Sequence, residues 1–170
     1  MHAARSKALN KRISAGQQSG NYGRGSLVTF LSHDITSRIV RIIRDLVQES
    51  IVREVKEAGM FSVELDTTQD IMTQDQCSIV LRYVYEGVVH ERLLSLVKAT
   101  STTGEALFNL LNSTLQKHGL DIKNCVGDAF DGAANMSGAY NGVTAKISSV
   151  ASLHVHTWCY SHCLNHPFRS

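Results

Sequence analysis

Three aspartates are the side chains of this sequence best suited to chemistry. Asp128 and Asp131 lie in "NCVGDAFDGAANMSG", residues 124–138, between an apolar run and a segment of Gly, Ala, Asn and Ser. Asp66 closes another apolar segment, "MFSVELD". Carboxylates at the ends of neighbouring strands suit Mg²⁺ or Mn²⁺, and two such ions can catalyse phosphoryl transfer. The same pattern also fits strands that end in solvated turns, so spacing alone leaves both interpretations open.

The elements around these aspartates change from helical to strand period along the chain. Apolar residues at steps of three and four predict an amphipathic helix over 34–56, and Gly59 supplies its stop. Segments rich in Val, Ile, Leu and Tyr predict strands at 60–66, 77–86 and 88–99, of which the second and third should form a hairpin. Asp66 therefore falls at the end of the first strand.

The second half of the chain predicts alternating helices and strands. Leucines at helical spacing after a Thr cap predict a helix over 105–119, and a short buried strand should follow within 120–129. A helix over 141–152, a strand over 153–158 and a helix from Cys159, ended by Pro167, complete the order. The 128/131 pair is thereby expected just past the fourth strand.

Composition indicates one soluble domain with a basic leading segment. Residues 1–26 carry five Lys or Arg and no acid, and their Gly, Ser, Gln and Asn content predicts a flexible tail. Residues 27–170 should form the domain. No apolar run is long enough for a membrane span or a signal peptide, and four cysteines at low density are expected to be thiols in a reducing compartment.

Three segments in order carry a resemblance to a known family. "FSVELDTTQDIMTQDQCSIVLRYV", "FDGAANMSGAYNGV" and "CYSHCLN" resemble the hAT-type transposase catalytic domain, in the branch found in zinc finger MYM-type proteins and related transposon-derived genes. The resemblance runs from about residue 28 to 165 and implies an α/β, ribonuclease H-like fold. A mixed five-stranded sheet in the order 3-2-1-4-5, flanked by helices and incomplete at the C-terminus, is the expectation.

The resemblance also implies site residues and their roles. Asp66 and Asp131 match the first two acids of an Asp, Asp, Glu triad that binds Mg²⁺ or Mn²⁺ in a DNA transposase. Asp128 stands where the family more often has an uncharged residue, so a capping or turn carboxylate is the favoured interpretation there. Cys159 and His162 match a Cys-x-x-His motif whose role stays open.

Zinc is a competing interpretation of the last segment. Cys159, His162, Cys163 and His166 share one helical face if this segment is a helix, and His154 and His156 precede it. One helical face seldom closes a tetrahedral site, and Pro167 cuts the helix short. Packed cysteines and hydrogen-bonded histidines are therefore favoured over zinc.

The third acid decides the expected activity. The family's Glu lies downstream of the second Asp, and this sequence has no Asp or Glu after Asp131. The expected function is therefore a transposon-derived domain that is catalytically inactive, with a nucleic-acid-binding, protein-binding or self-association role. The resemblance implies a nuclear location, with the cytoplasm as the alternative, and the protein is not expected to be secreted. The alternatives are a metal-dependent transposase or nuclease completed by a Glu from a longer isoform or a partner, and a pseudogene-like fragment.

Overall fold

A computed structural model of the chain describes residues 32–69 and 75–159. The chain divides into two units, residues 1–43 and residues 44–170. In the first unit the described part is the start of helix α1, where the Ser32 hydroxyl accepts a hydrogen bond from the Ile35 backbone N–H at 3.2 Å. The predicted tail over 1–26 and the helix predicted to follow Cys159 lie outside the described residues.

Helix α1 spans His33–Ala58, as its apolar periodicity predicts. Within the second unit it buries Ile51 and Val55, which lie four residues apart and therefore on the same face of the helix. The Tyr83 hydroxyl donates to Glu54 Oε2 at 2.6 Å and ties the helix to the sheet. Gly59, with φ of 75°, ends the helix in the left-handed conformation that glycine adopts without strain.

Three antiparallel strands follow: β1 (Phe61–Gln69), β2 (Asp75–Tyr85) and β3 (Val88–Lys98). The predicted hairpin between β2 and β3 is confirmed. Its turn residues Glu86 and Gly87 both have positive φ, 51° and 76°, as a two-residue turn requires when it continues the strand twist. The hairpin fixes which side chains of β2 and β3 share a face.

Helix α2 (Gly104–Lys117) begins at Thr103, whose hydroxyl accepts from the Ala106 N–H at 3.3 Å. A short 3₁₀ helix (Ile122–Asn124) precedes β4 (Cys125–Phe130). The prediction of a strand from residue 120 was wrong for 120–124. Asp121 accepts a hydrogen bond from the Lys123 N–H and holds this segment in a helical turn instead.

The remaining elements are α3 (Ala134–Ser137), which the sequence analysis did not predict, α4 (Val143–Val150) and β5 (Val155–Trp158). The sheet has the order β3-β2-β1-β4-β5, with β1, β4 and β5 parallel. This confirms the predicted α/β fold with its mixed five-stranded sheet.

The two faces of the sheet differ. One face carries the core, which includes Val63, Leu65, Ile79 and Leu81, each at most 6% exposed. By strand alternation and register the other face, here called the open face, carries apolar side chains that are more than half exposed, namely Val84, Val89, Leu93, Leu96 and Val155.

Among the described residues no helix is long and apolar enough to cross a membrane.

Candidate functional site

Asp66 near the end of β1 and Asp131 just after β4 lie beyond the paired residues of these two parallel strands, at the place here called the β1–β4 junction. The parallel register pairs Ser62 with Gly127 and Val63 with Asp128. Continued by three residues, this register sets Asp131, the residue just after β4, opposite Asp66. Asp66 is exposed and belongs to the open face by strand alternation, while Asp131 is half-buried.

Asp131 holds the turn that follows β4. Its Oδ1 accepts a hydrogen bond from the Ala133 N–H at 3.3 Å, and the Ser137 hydroxyl donates to its backbone carbonyl. Asn135 in α3 donates to the Thr102 carbonyl at 2.8 Å and anchors this turn to the segment before α2. Asp131 therefore has a structural task as well as a position opposite Asp66.

The fit of a divalent ion to this junction can be judged from its donors. Among residues 32–69 and 75–159, no group of three or more His, Cys, Asp or Glu side chains is arranged to hold a metal ion. Glu64 lies two residues before Asp66, on the same face of β1. Its pKa is raised by burial and by the Glu91 carboxylate, so it is a poorer anionic ligand than an exposed glutamate. Asp66 and Asp131 would hold Mg²⁺ or Mn²⁺ with two carboxylates, and their metal role stays a prediction.

Asp128 contradicts the expectation of a capping or turn carboxylate. It lies inside β4, because the strand continues to Phe130, and only 2% of its surface is exposed. Its register partner Val63 is a core residue, so the Asp128 side chain lies on the helix-covered face, opposite to the face of Asp66. The predicted strand reached residue 129, but Asp128 was nevertheless expected to lie just past it; the observed strand runs to Phe130 and contains Asp128.

Three side chains surround the buried Asp128 carboxylate. Thr144 of α4 donates to Oδ2 at 2.9 Å, and His156 Nδ1 forms a short hydrogen bond with Oδ1. His154 Nε2 lies 3.0 Å from Oδ2. The three residues and Asp128 are named the Asp128 cluster. The hydrogen bonds with Thr144 and His156 offset the cost of burying the carboxylate.

His154 is the most buried imidazole of the Asp128 cluster. Its side chain is 0% exposed, and its Nδ1 lies 2.8 Å from the Ser148 hydroxyl. Burial lowers the His154 pKa and outweighs the opposing effect of Asp128. Sequence reasoning missed this role of His154 and His156. Their spacing of two residues beside a predicted strand could have indicated a shared face, but it does not identify Asp128 as their partner.

The Cys-x-x-His motif is described only at its first residue. Cys159 is half-buried, and its N–H donates to the Phe130 carbonyl at 2.9 Å, just past the β4–β5 pairing. His162 lies outside the described residues. The interpretation of this pair therefore stays a prediction, as does the disfavoured zinc site.

Comparison with known proteins finds curated relatives and a family model. The human protein "52 kDa repressor of the inhibitor of the protein kinase" is 21% identical over 137 residues, which cover 80% of this chain. The chain spans 18% of the length of that relative.

The family match covers the candidate junction. The model of the DUF4371 family matches residues 22–142, a range that contains Asp66, Asp128 and Asp131 and stops before His154. This range is more than half of the chain, and the mixed sheet is the fold expected of its RNase-like domain. The chain therefore belongs to the DUF4371 family, described as the ZMYM1/FAM200, RNase-like domain.

Proposed function

We propose that this chain is a transposon-derived domain of the hAT type that does not cleave or join DNA by itself and that acts as a binding domain for another macromolecule. The observation that carries the proposal is the position of Asp128. Its carboxylate lies on the helix-covered face and is engaged by Thr144 and His156, so it is not available to a metal ion held by Asp66.

Two carboxylates are too few for two-metal catalysis. A pair of divalent ions needs enough negative charge to offset its own and ligands that keep one coordination position open. Asp66 and Asp131 would leave a second ion under-ligated, and Asp131 already accepts a hydrogen bond from Ala133. Weak binding of a single Mg²⁺ or Mn²⁺ ion without turnover is what this donor set supports.

A binding role accords with the exposed apolar surface of the open face and with a basic segment at 1–26, which carries five cations and no acid. The curated relative is called a repressor. By extension from that name and from the family resemblance, a nuclear location is part of the proposal.

Incubation of the purified chain with a supercoiled plasmid and Mn²⁺ tests the catalytic part. We expect no nicking above the protein-free reaction. Nicking that disappears in Asp66→Asn and persists in Asp45→Asn, an exposed aspartate of α1, would overturn the proposal.

The second candidate function is a metal-dependent DNA transposase or nuclease completed by a Glu from a longer chain or a partner. The β1–β4 register supports it, because continuing that register three residues past Val63 and Asp128 would align Asp66 with Asp131, as a catalytic pair needs. Mixing this chain with a longer form that carries a downstream Glu would then produce nicking that depends on Asp66. No nicking in that mixture would reject this candidate.

A further inference from the structure

A groove of about 970 Å³ runs between α1, the edge strand β3 and α2. Its walls are residues 44–51 of α1 and 110–118 at the end of α2, and residues 92–97 of β3 form its floor. Ile51 and Leu94 are buried beneath it, while Val47 is 51% exposed and Leu110 is half-buried. The groove therefore presents apolar side chains from all three elements, with polar and charged side chains among them.

The charges around the groove are mostly positive. Among the described residues that line it, Arg44, Arg92 and Lys117 are cationic and Asp45 is the one carboxylate. Asp45 is already bound by Arg44, whose Nη2 lies 2.7 Å from Oδ1. Burial and the neighbouring Lys117 lower the pKa of His118, so this imidazole is neutral near pH 7 and adds a polar group without charge. The pKa of Glu54 is lowered chiefly by the hydrogen bond from Tyr83 and, to a smaller extent, by Arg92. Arg92 therefore has a carboxylate nearby, and Lys117 is the cation least engaged by one.

At the centre of the groove, the edge of β3 is poorly suited to pair with an additional strand. The register between β2 and β3 shifts at Leu94, and the Gln48 side chain donates to the Leu94 carbonyl at 2.8 Å. A bulge of this kind twists the edge, and the glutamine occupies an edge acceptor that an incoming strand would need. An extended peptide therefore fits the groove less well than a helix between its two helical walls.

We infer that this groove binds a short, acidic, amphipathic helix of a partner protein. Each wall is about eight residues of helix, or about 12 Å, which matches roughly two turns of a docked helix with apolar anchors at i, i+3 and i+4. Carboxylates on the flanks of that helix would face Lys117 and Arg92. The basic segment over 1–26 of this chain would be repelled by the same cations, which argues against it as the occupant.

The inference rests on the binding role proposed above and names the chemistry of the partner. Its test uses a fluorescein-labelled peptide of about 14 residues, with Leu at helical spacing and Glu elsewhere, titrated with the full chain and followed by anisotropy. We expect saturable binding that weakens with salt. A peptide of the same composition with a scrambled pattern, and one with Lys in place of Glu, should bind at least about tenfold more weakly.

Charge reversals locate the binding. Arg92→Glu together with Lys117→Glu should weaken binding by about tenfold or more, whereas Lys98→Glu together with Lys123→Glu, exposed lysines outside the groove, should change it by less than about threefold. Circular dichroism of both double variants checks that they fold alike. Val47→Gln should weaken binding without changing net charge, and it separates apolar docking from general attraction.

Several outcomes would overturn the inference. They are no binding of the patterned peptide, equal binding of the scrambled one, equal losses in the two double variants, or displacement of the peptide from the groove by dodecanoate at lower concentration than by unlabelled peptide. The last outcome would assign the groove to small amphipathic anions. Plasmid nicking would refute the proposed inactivity without affecting the groove, and absence of peptide binding would refute the groove without bearing on nicking.

Discussion

Asp128 and Asp131 lie three residues apart in the chain and have different roles. Asp128 lies within β4 on the face that packs against α4, where burial demands partners, and it has Thr144 and His156. Asp131 lies beyond the strand end and caps the following turn through Ala133. The side-chain alternation of a strand therefore decides which acid can reach a ligand on the open face.

Asp128→Ala should strongly destabilise the second unit. The substitution leaves the Thr144 hydroxyl and the His156 imidazole without their carboxylate in a buried setting, at a cost on the order of 3 kcal/mol. Urea unfolding at pH 7.5 measures it. Asp45→Ala, which removes an exposed ion pair with Arg44, should change stability by less than about 0.5 kcal/mol and is the control. Equal effects of the two substitutions would contradict a structural role for the buried carboxylate.

Mn²⁺ binding should depend on Asp66 and Asp131 and not on Asp128. Calorimetry of the wild type should show weak binding, and Asp66→Asn together with Asp131→Asn should abolish it, because both carboxylates of the junction are lost. Asp128→Asn should leave the affinity unchanged, since that side chain lies on the opposite face. A double variant at exposed positions of α1, Asp34→Asn with Asp45→Asn, removes the same charge elsewhere. Unchanged affinity in the junction variant would place the ion at another site.

At the scale of elements, the Asp128 cluster joins β4, α4 and β5. The strand β5 is four residues long and pairs within the described sheet only with β4, so side-chain bonds from His154 and His156 add to a short backbone ladder. The Ser148 hydroxyl, on α4, meets His154 from the helix side. Loss of this cluster is therefore expected to loosen the β5 edge before the β1–β3 meander.

The contribution of the Asp128 cluster to the free energy of unfolding should fall as pH falls. The folded-state pKa of His154 is lowered by burial, so the unfolded chain binds the proton more readily. Its contribution is fully present above the unfolded histidine pKa of about 6.5 and is lost as pH drops through that value and then the folded one. Asp128 and His156 face the same imidazole; Asp128 opposes the shift, whereas His156 adds to it.

Urea unfolding between about pH 7.5 and 5.5 measures this dependence, and His154→Gln should flatten it. The His118 pKa is lowered in the same direction, so the variant should keep part of the slope, and His118→Gln is the matched comparison. If the unfolding free energy of His154→Gln depended more steeply on pH than that of the wild type, the pH dependence could not be assigned to His154.

Much of the element order could be predicted because it rests on local signals. The helical period of α1, the short β2–β3 hairpin and the Thr cap of α2 each rest on signals within a few residues, and each prediction is confirmed. The predicted second strand ran one residue too far, because Glu86 lies in the hairpin turn. The 3₁₀ helix at 122–124 was missed because the Asp121 side chain competes with strand pairing for the backbone. The extent of β4, which decides the setting of Asp128, depends on pairing with β1 and β5, and no local pattern encodes it.

At the scale of the whole second unit, the sheet is asymmetric. The helix-covered face holds the core, and the open face exposes apolar residues on β2, β3 and β5. Exposed apolar surface on a sheet with an edge strand favours association with other molecules. The open face should therefore govern solubility more than stability.

Val84→Thr together with Val89→Thr should reduce self-association with little loss of stability. The two valines are register partners on the open face and are 55% and 52% exposed, so the added hydroxyls remain hydrated and the shape is kept. We expect a change in unfolding free energy within about 0.5 kcal/mol and lower light scattering at high protein concentration.

The matched control is Val63→Thr, which makes the same chemical change at a core position with 0% exposure. Burying a hydroxyl there should cost about 1–3 kcal/mol and leave exposed apolar area unchanged. If the open-face pair destabilised the domain as much as Val63→Thr does, both valines would have to be packed against other residues, and the open face would not be the surface through which this domain associates.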